Sequence, residues 1–232
     1  FDLDCSFDEV YLNDEKMHER KIAWLNDLGG YYEVEEEILE QCKKVLFSLA
    51  QNKVVVEEIE PEANPYYLSK SWKVLRSKSL YDELGKYNLS ADEKILTVDW
   101  EIQNGQVVKE TDLEEALSWR SVWENKVNSI FKKYNYLALP VAQVYPFNKD
   151  IPYPSSINGK QMETYHQWMD IVVLSSILGL PTISVPVGLN KKGLPMGMQI
   201  IGKRKSDIDL IAFAKNYETI FSCSEIVPQK FN

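Results

Sequence analysis

Two closely spaced segments decide the fold class of this chain: G-L-P-T-I-S-V-P-V-G at residues 179–188 and G-L-P-M-G-M-Q-I-I-G at residues 193–202. Each contains an apolar run between glycines and prolines, and a short charged turn joins them. Gly179 is suited to ending a helix, and Pro181 blocks its continuation. The pattern therefore predicts a helix followed by two strands. The predicted strands span residues 182–187 and 196–201.

The rest of the chain alternates between strand and helix patterns. Short apolar or β-branched runs before turn residues predict strands, and apolar residues three and four apart predict helices. The predicted strands are 21–25, 54–59 and 136–141. The predicted helices are 35–51, 66–87, 90–103, 111–133, 161–178 and 206–220. Ser90 with Glu93, and Thr111 with Glu114, have the spacing of helix capping boxes, and Ser206 is the expected N-cap of the last helix.

This alternation predicts an α/β fold with a mixed β-sheet and helices on both faces. The strand, helix, strand order of residues 21–59 predicts a parallel pair of strands. The 232 residues suit one large domain or two small ones. We expect residues 1–20 to form an extended lead-in and residues 21–232 to form a single domain, with a helical middle section at about 64–133.

The charge of the chain argues against two classes of partner. Its net charge of -9, from 35 acidic and 26 basic residues, repels nucleic acid and anionic membranes. We therefore expect no nucleic-acid partner and no membrane partner. No apolar run reaches the roughly 18 residues that a membrane-spanning helix needs.

The cysteines and the first residues suggest the compartment. Cys5, Cys42 and Cys223 are widely spaced, which predicts free thiols in a cytoplasmic protein and neither a disulfide framework nor a metal site. The opening residues 1–4 lack the basic region of a signal peptide and an initiator methionine. This start predicts a truncated or processed chain.

Few residues have a pattern that indicates catalysis. His18 lies in a charged, loop-like opening, and His166 lies four residues before Asp170 on the predicted helix. The latter spacing favours an ordinary hydrogen-bonded helix pair over the base and orienter of a catalytic triad. Ser184 is expected to be a small core residue of an apolar strand. No metal-binding or phosphate-binding motif is present, so we expect no cofactor.

The double G-L-P block resembles the C-terminal portion of the amidase signature family, as found in bacterial amidases. Three further segments strengthen the resemblance: K-I-A-W-L-N-D-L-G-G at 21–30, Y-L-A-L-P at 136–140 and A-K-N-Y-E at 214–218. It covers about residues 21–218. It implies an amide hydrolase with a serine nucleophile, a bridging serine in a cis peptide and a lysine base.

The family's glycine- and serine-rich catalytic motif does not occur in this sequence, and Ser175-Ser176 lies in an apolar helix without glycines. No catalytic residue is therefore assigned. The resemblance implies a triad upstream of this chain, an inactive fragment, a cytoplasmic parent enzyme and a small-molecule amide substrate. An unpaired sheet edge would also favour a homodimer.

The resemblance implies a supporting role in substrate binding for five residues that flank the acyl side of the family's substrate channel. They are Gln143, Tyr145, Trp168, Val172 and Ser175. Each could instead be an ordinary core residue. Two alternatives to the amidase function stay open: the amidase-like component of a tRNA-dependent amidotransferase, and a non-catalytic binding or scaffold module derived from the same fold.

Overall fold

The protein was analysed as a computed structural model, which describes residues 20–87 and 95–223. The predicted lead-in before Arg20, the capping box of Ser90 and Glu93, and the residues His18 and Cys5 lie outside these ranges. The strands are β1 (Lys21–Trp24), β2 (Val55–Glu58), β3 (Tyr136–Pro140), β4 (Ser156–Ile157), β5 (Lys160–Gln161), β6 (Thr182–Leu189) and β7 (Pro195–Ile201). The α-helices are α1 (Ile38–Gln51), α2 (Pro65–Leu84), α3 (Leu96–Gln106), α4 (Glu110–Ile130), α5 (Val173–Leu178) and α6 (Asp207–Phe221), and a 3₁₀ helix (Gln167–Val172) precedes α5.

Five strands form one mixed sheet in the order β2-β1-β3-β7-β6. β1 pairs in parallel with β2 and β3, whereas β7 is antiparallel to both β3 and β6. The predicted α/β class, the parallel pair and the hairpin of the two G-L-P segments are therefore confirmed. β4 and β5 form a separate two-stranded hairpin.

Alternating side chains of the strands build a core on each face of the sheet. Ile22 and Trp24 of β1 pack in one cluster with α1 and α6, while Ala23 and the following Leu25 pack in the other with α2, α4 and α5. Both faces are consequently covered by helices, as the sequence predicts. Gly179 ends α5 with a left-handed φ of 59°, which agrees with its predicted role.

The predicted long helix over 161–178 is wrong. Residue 161 belongs to β5, a non-helical stretch follows, and the segment then continues as the 3₁₀ helix and the short α5. The Gln167 side-chain oxygen accepts hydrogen bonds from the backbone N–H groups of Glu163 and Thr164. These bonds, and the contacts of His166 described below, hold the segment in a conformation that its apolar periodicity does not predict.

Two further local predictions need correction. α4 begins at Glu110, so Thr111 lies inside the first turn, and it is the carboxylate of Asp112 that accepts the Lys109 N–H at 2.9 Å. Ser184 is exposed on the edge strand β6 and is not a core residue. Ser206 is the N-cap residue of α6, but its hydroxyl donates to the Lys203 carbonyl.

Candidate functional site

An apolar cleft of about 470 Å³ lies between the chain that follows β3 and the hairpin of β6 and β7. The cleft is lined by Val141, Tyr145, Phe147, Trp168, Pro186 and Met196, among others. Two of the five predicted substrate-binding residues, Tyr145 and Trp168, therefore share one cavity. A cleft of this size with apolar walls is typical of a site for a small organic molecule.

Hydrogen bonds fix Tyr145 in the wall of the apolar cleft. Its backbone N–H donates to a Glu35 carboxylate oxygen at 2.7 Å, and its hydroxyl donates to the Gln41 side-chain oxygen at 3.0 Å. Burial, together with the negative charge of Glu37 and other neighbours, raises the pKa of Tyr145 to about 12. The hydroxyl is consequently protonated at neutral pH, and its proton is directed into the protein.

Trp168 reaches the apolar cleft from the 3₁₀ helix. Its ring meets that of Phe147 edge to face, with centroids 5.3 Å apart and an interplanar angle of 85°. This is a favourable arrangement for two aromatic rings. The contact joins the loop after β3 to the 3₁₀ helix and closes one side of the cleft.

Gln143 lies between the same two segments but does not line the apolar cleft. It is 2% exposed, its amide nitrogen donates to the Glu33 carbonyl at 2.8 Å, and its amide oxygen accepts the Ile171 N–H at 3.1 Å. It lines instead a second space, the polar cavity, of about 490 Å³. The polar cavity is bounded by α2, the residues after β1, and the segment between β5 and the 3₁₀ helix.

Val172 and Ser175 line neither of these two cavities. The Ser175 hydroxyl lies 3.2 Å from the Val172 carbonyl and 3.3 Å from the side-chain oxygen of Gln199. The Gln199 amide in turn donates to the carbonyls of Pro140 and Ile171. The predicted helical stripe of Trp168, Val172 and Ser175 is divided, because the 3₁₀ helix ends at Val172.

A buried carboxylate, Glu101 of α3, organises a polar cluster that no sequence pattern predicts. Glu101 is fully buried and accepts hydrogen bonds at 2.7 Å from Arg76 Nε, the Tyr165 hydroxyl and His166 Nε2. The Ser77 hydroxyl donates to its other oxygen. Burial raises the pKa of Glu101, but these hydrogen bonds outweigh burial and lower the pKa to about 2. Sequence reasoning missed this cluster because its members come from three separate segments.

The predicted hydrogen bond between His166 and Asp170 is absent. His166 bonds Glu101 and lies edge-on to the rings of Trp72 and Trp100, with centroids 5.2 and 5.3 Å apart. Asp170 Oδ2 lies 3.4 Å from Lys73 Nζ. The two side chains separate because residues 166–170 are not in an α-helix and each has a stronger partner elsewhere.

The described residues, 20–87 and 95–223, include no cluster suited to a metal ion and no serine paired with a histidine or lysine. Within these ranges no group of three His, Cys, Asp or Glu side chains is placed to hold a metal ion. In the same part of the chain no serine hydroxyl is hydrogen-bonded to a histidine or lysine side chain. Burial raises the pKa of Cys42 to about 12, so this thiol is not a reactive thiolate. None of the helices described is both long enough and apolar enough to cross a membrane.

Solved structures with a similar fold include an acylamidase and a hydrolase. A bacterial aryl acylamidase of the amidase signature family aligns with a TM-score of 0.76 and 23% identity, covering 89% of this chain and 44% of that one. A 6-aminohexanoate cyclic dimer hydrolase aligns with a TM-score of 0.73 and 18% identity, covering 90% and 46%. The shared architecture is therefore that of the amidase signature fold.

The model of the amidase family matches residues 5–211, and the chain belongs to this family. A fatty acid amide hydrolase of Arabidopsis thaliana is 27% identical over 205 residues, which cover 85% of this chain and 32% of the relative. One subunit of a glutamyl-tRNA(Gln) amidotransferase, from Borreliella afzelii (strain PKo), is 34% identical over 92 residues, or 39% of this chain and 18% of the relative. The chain thus spans about a third or less of the length of these relatives.

Proposed function

We propose that the protein to which this chain belongs hydrolyses the C–N bond of a carboxylic amide, releasing an acid and ammonia or an amine. The match of the amidase family over residues 5–211 is the observation that carries this proposal. We further propose that a serine, a bridging serine in a cis peptide and a lysine base act from a part of the protein upstream of this chain. The parent enzyme is proposed to be cytoplasmic and free of cofactors.

The proposed role of this chain is to form a wall of the substrate channel. The apolar cleft presents aromatic and aliphatic surface beside Tyr145 and Trp168, which suits the apolar acyl or aryl part of an amide. Gln143 and Ser175 hold the backbone behind that wall through the hydrogen bonds given above. Val172 is proposed to complete the channel at the end of the 3₁₀ helix.

The experiment is an activity assay of the parent protein and of the 232-residue chain against a panel of aliphatic and aryl amides. We expect turnover by the parent protein only. Trp168→Ala in the parent should raise KM for aryl amides more than it lowers kcat, because the ring contacts the substrate away from the reacting bond. Trp119→Ala, a change at an aromatic residue outside the cleft, is the control. Turnover by the 232-residue chain that disappears in His166→Ala would contradict the proposal.

A second candidate function is favoured by the similarity to the glutamyl-tRNA(Gln) amidotransferase. In that case the parent protein would act within a complex of several different chains. Co-purification of a second type of chain, together with glutaminase activity, would support this alternative over a free-standing amidase.

We propose that the parent enzyme binds a small amide as its substrate and binds neither nucleic acid nor membrane. We also propose that it forms a homodimer through an edge of the sheet. β2 and β6 are the two edge strands of the sheet. Light scattering of the parent protein tests this last point: a monomeric mass at all concentrations would contradict the dimer.

A further inference from the structure

The sequence contains two asparagines that are followed directly by glycine, Asn104-Gly105 and Asn158-Gly159. In such a pair the backbone nitrogen of the glycine can attack the side-chain carbonyl carbon of the asparagine and form a five-membered ring. Glycine favours this attack because it has no Cβ to crowd the nitrogen and adopts more backbone conformations than other residues. The surrounding structure decides at which of the two pairs the ring can form.

The pair Asn104-Gly105 is held inside α3. The Asn104 amide nitrogen donates to the Trp100 carbonyl at 2.7 Å. Gly105 is buried, and a Cβ built on it would lie 2.0 Å from the carbonyl oxygen of Ser77 in α2. The hydrogen bonds of the helix and this close approach keep both residues helical and exclude water. We therefore expect the Asn104 side chain to be stable.

The pair Asn158-Gly159 forms the two-residue turn between β4 and β5, where the backbone is open to solvent. Both residues are exposed, and nothing lies within 4 Å of a Cβ built on Gly159. Their positive φ values of 48° and 82° agree with a type I′ hairpin turn. Each of the two strands has only 2 residues, so few hydrogen bonds hold the hairpin and it can open locally at low cost. Water and the glycine nitrogen can then both reach the side-chain carbon of Asn158.

The Asn158 amide also ties the hairpin to the chain after β1. Its nitrogen donates to a Glu33 carboxylate oxygen at 2.7 Å and to the Val34 carbonyl at 2.9 Å. An aspartate at this position would have no N–H to donate and would carry a negative charge. It would face two acceptors and be repelled by the Glu33 carboxylate. Loss of the amide nitrogen therefore removes both hydrogen bonds.

This tie lies next to the wall of the apolar cleft. The Glu33 carbonyl accepts a hydrogen bond from the Gln143 amide at 2.8 Å, and the Glu35 carboxylate accepts the Tyr145 N–H at 2.7 Å. Residues 33–35 thus connect the hairpin of β4 and β5 to the chain that follows β3. A change at Asn158 acts on the segment that anchors Tyr145.

We propose that Asn158 is a site of spontaneous deamidation, and that the change frees the hairpin of β4 and β5 from residues 33 and 34. The Gly159 nitrogen gives its proton to hydroxide and forms a bond to the side-chain carbon of Asn158. The bond from that carbon to the amide nitrogen breaks, and the nitrogen takes a proton from water and leaves as ammonia, which restores the hydroxide. Water then opens the ring at either carbonyl and yields aspartate or isoaspartate. The inference goes beyond the proposed function, and its failure would leave the proposed hydrolysis unaffected.

The first experiment incubates the 232-residue chain at physiological temperature in mildly alkaline buffer and follows its tryptic peptides by mass spectrometry. Asn158 is the only asparagine in the peptide 150–160, which contains no glutamine, so a gain of one mass unit there reports its conversion. We expect conversion at least about tenfold faster than that of Asn104, and than that of Asn148, an exposed asparagine followed by lysine. Isoaspartate should appear among the products, because direct hydrolysis of the side-chain amide gives only aspartate.

The second experiment tests the structural consequence with an aspartate in place from the start. Asn158→Asp should speed the hydrogen–deuterium exchange of residues 33–35 and 156–161 by about threefold or more, because the hairpin opens more often. Asn148→Asp is the matched control. The Asn148 side-chain oxygen accepts the Asp150 N–H, and aspartate keeps such an oxygen, so exchange at the same residues should be unchanged.

Three results would overturn the proposal. Conversion of Asn158 no faster than that of Asn104 would show that the turn is protected. Conversion without isoaspartate would show that the ring does not form. Exchange that Asn158→Asp leaves unchanged would show that the amide does not hold the hairpin.

Discussion

The apolar cleft and the polar cavity lie on the two sides of one segment, the chain from residue 166 to residue 172, and they differ in how their polar groups are used. Around the apolar cleft the polar groups of Tyr145 are paired: its hydroxyl donates to Gln41 and its backbone N–H donates to Glu35. In the polar cavity Tyr32, Ser69 and Asp170 keep unpaired atoms. The difference indicates that the hydrogen bonds of Tyr145 stabilise the fold, whereas the unpaired atoms of Tyr32, Ser69 and Asp170 add no such stabilisation.

The largest effect on stability should come from removing Glu101, a buried carboxylate that is hydrogen-bonded to His166 of the segment 166–172. Glu101→Ala removes the carboxylate that accepts from Ser77 and His166 and leaves their buried donors unpaired. We expect the free energy of unfolding to fall by about 3 kcal/mol. Urea denaturation of the 232-residue chain measures this loss. Glu114→Ala, at an exposed position of α4, should change stability by less than about 0.5 kcal/mol, and equal losses in the two variants would contradict the role of the cluster.

The Glu101 carboxylate should also make the stability of the protein depend on pH. The pKa of Glu101 is about 2 in the folded protein and near 4.5 when the group is unperturbed. Because the pKa of Glu101 is lower in the folded state than in the unfolded state, Glu101 stabilises the protein above about pH 4.5. This stabilisation is lost as the pH falls towards about 2. The stability difference between the wild type and Glu101→Gln, measured by urea denaturation, should therefore shrink between about pH 6 and pH 3. A difference that grows towards low pH would be inconsistent with a lowered pKa.

A smaller loss should follow from unpairing Gln143. Gln143→Ala leaves the buried Ile171 N–H and Glu33 carbonyl without their side-chain partner. We expect a destabilisation of about 2 kcal/mol. Thermal and urea unfolding provide the measurement, with the exposed Gln51→Ala as the control. An unchanged stability would mean that Gln143 is free for a ligand, as its predicted role in substrate binding requires.

The strands of this fold could be predicted from sequence, because their signals are local. These signals are the β-branched and apolar runs, the turn residues, and the glycine and proline pairs of 179–202, and each of them acts within a few residues. The structure has the predicted strands close to their predicted positions. One continuous stretch is enough to predict the hairpin of β6 and β7. The resemblance to the amidase family rests on the same stretch.

The polar groups beside the segment 166–172 could not be predicted, because their partners are distant in sequence. His166 is 65 residues from Glu101, and the residues of the polar cavity come from several separate segments of the chain. The apolar periodicity of 161–178 predicts a helix, but contacts of Gln167 and His166 impose another conformation on its first half. Of the five predicted substrate-binding residues, the structure brings only Tyr145 and Trp168 into one cavity, and their role in binding stays a prediction.

The most direct test of the contrast uses two tyrosines that differ in whether the hydroxyl is paired. The unfolding free energies of Tyr145→Phe and Tyr32→Phe are measured by urea denaturation. Tyr145→Phe should lose about 1 kcal/mol, because it removes a hydrogen bond to Gln41. Tyr32→Phe should be as stable as the wild type or more stable, since its hydroxyl has no hydrogen-bond partner. Equal losses of stability in the two variants would contradict the account.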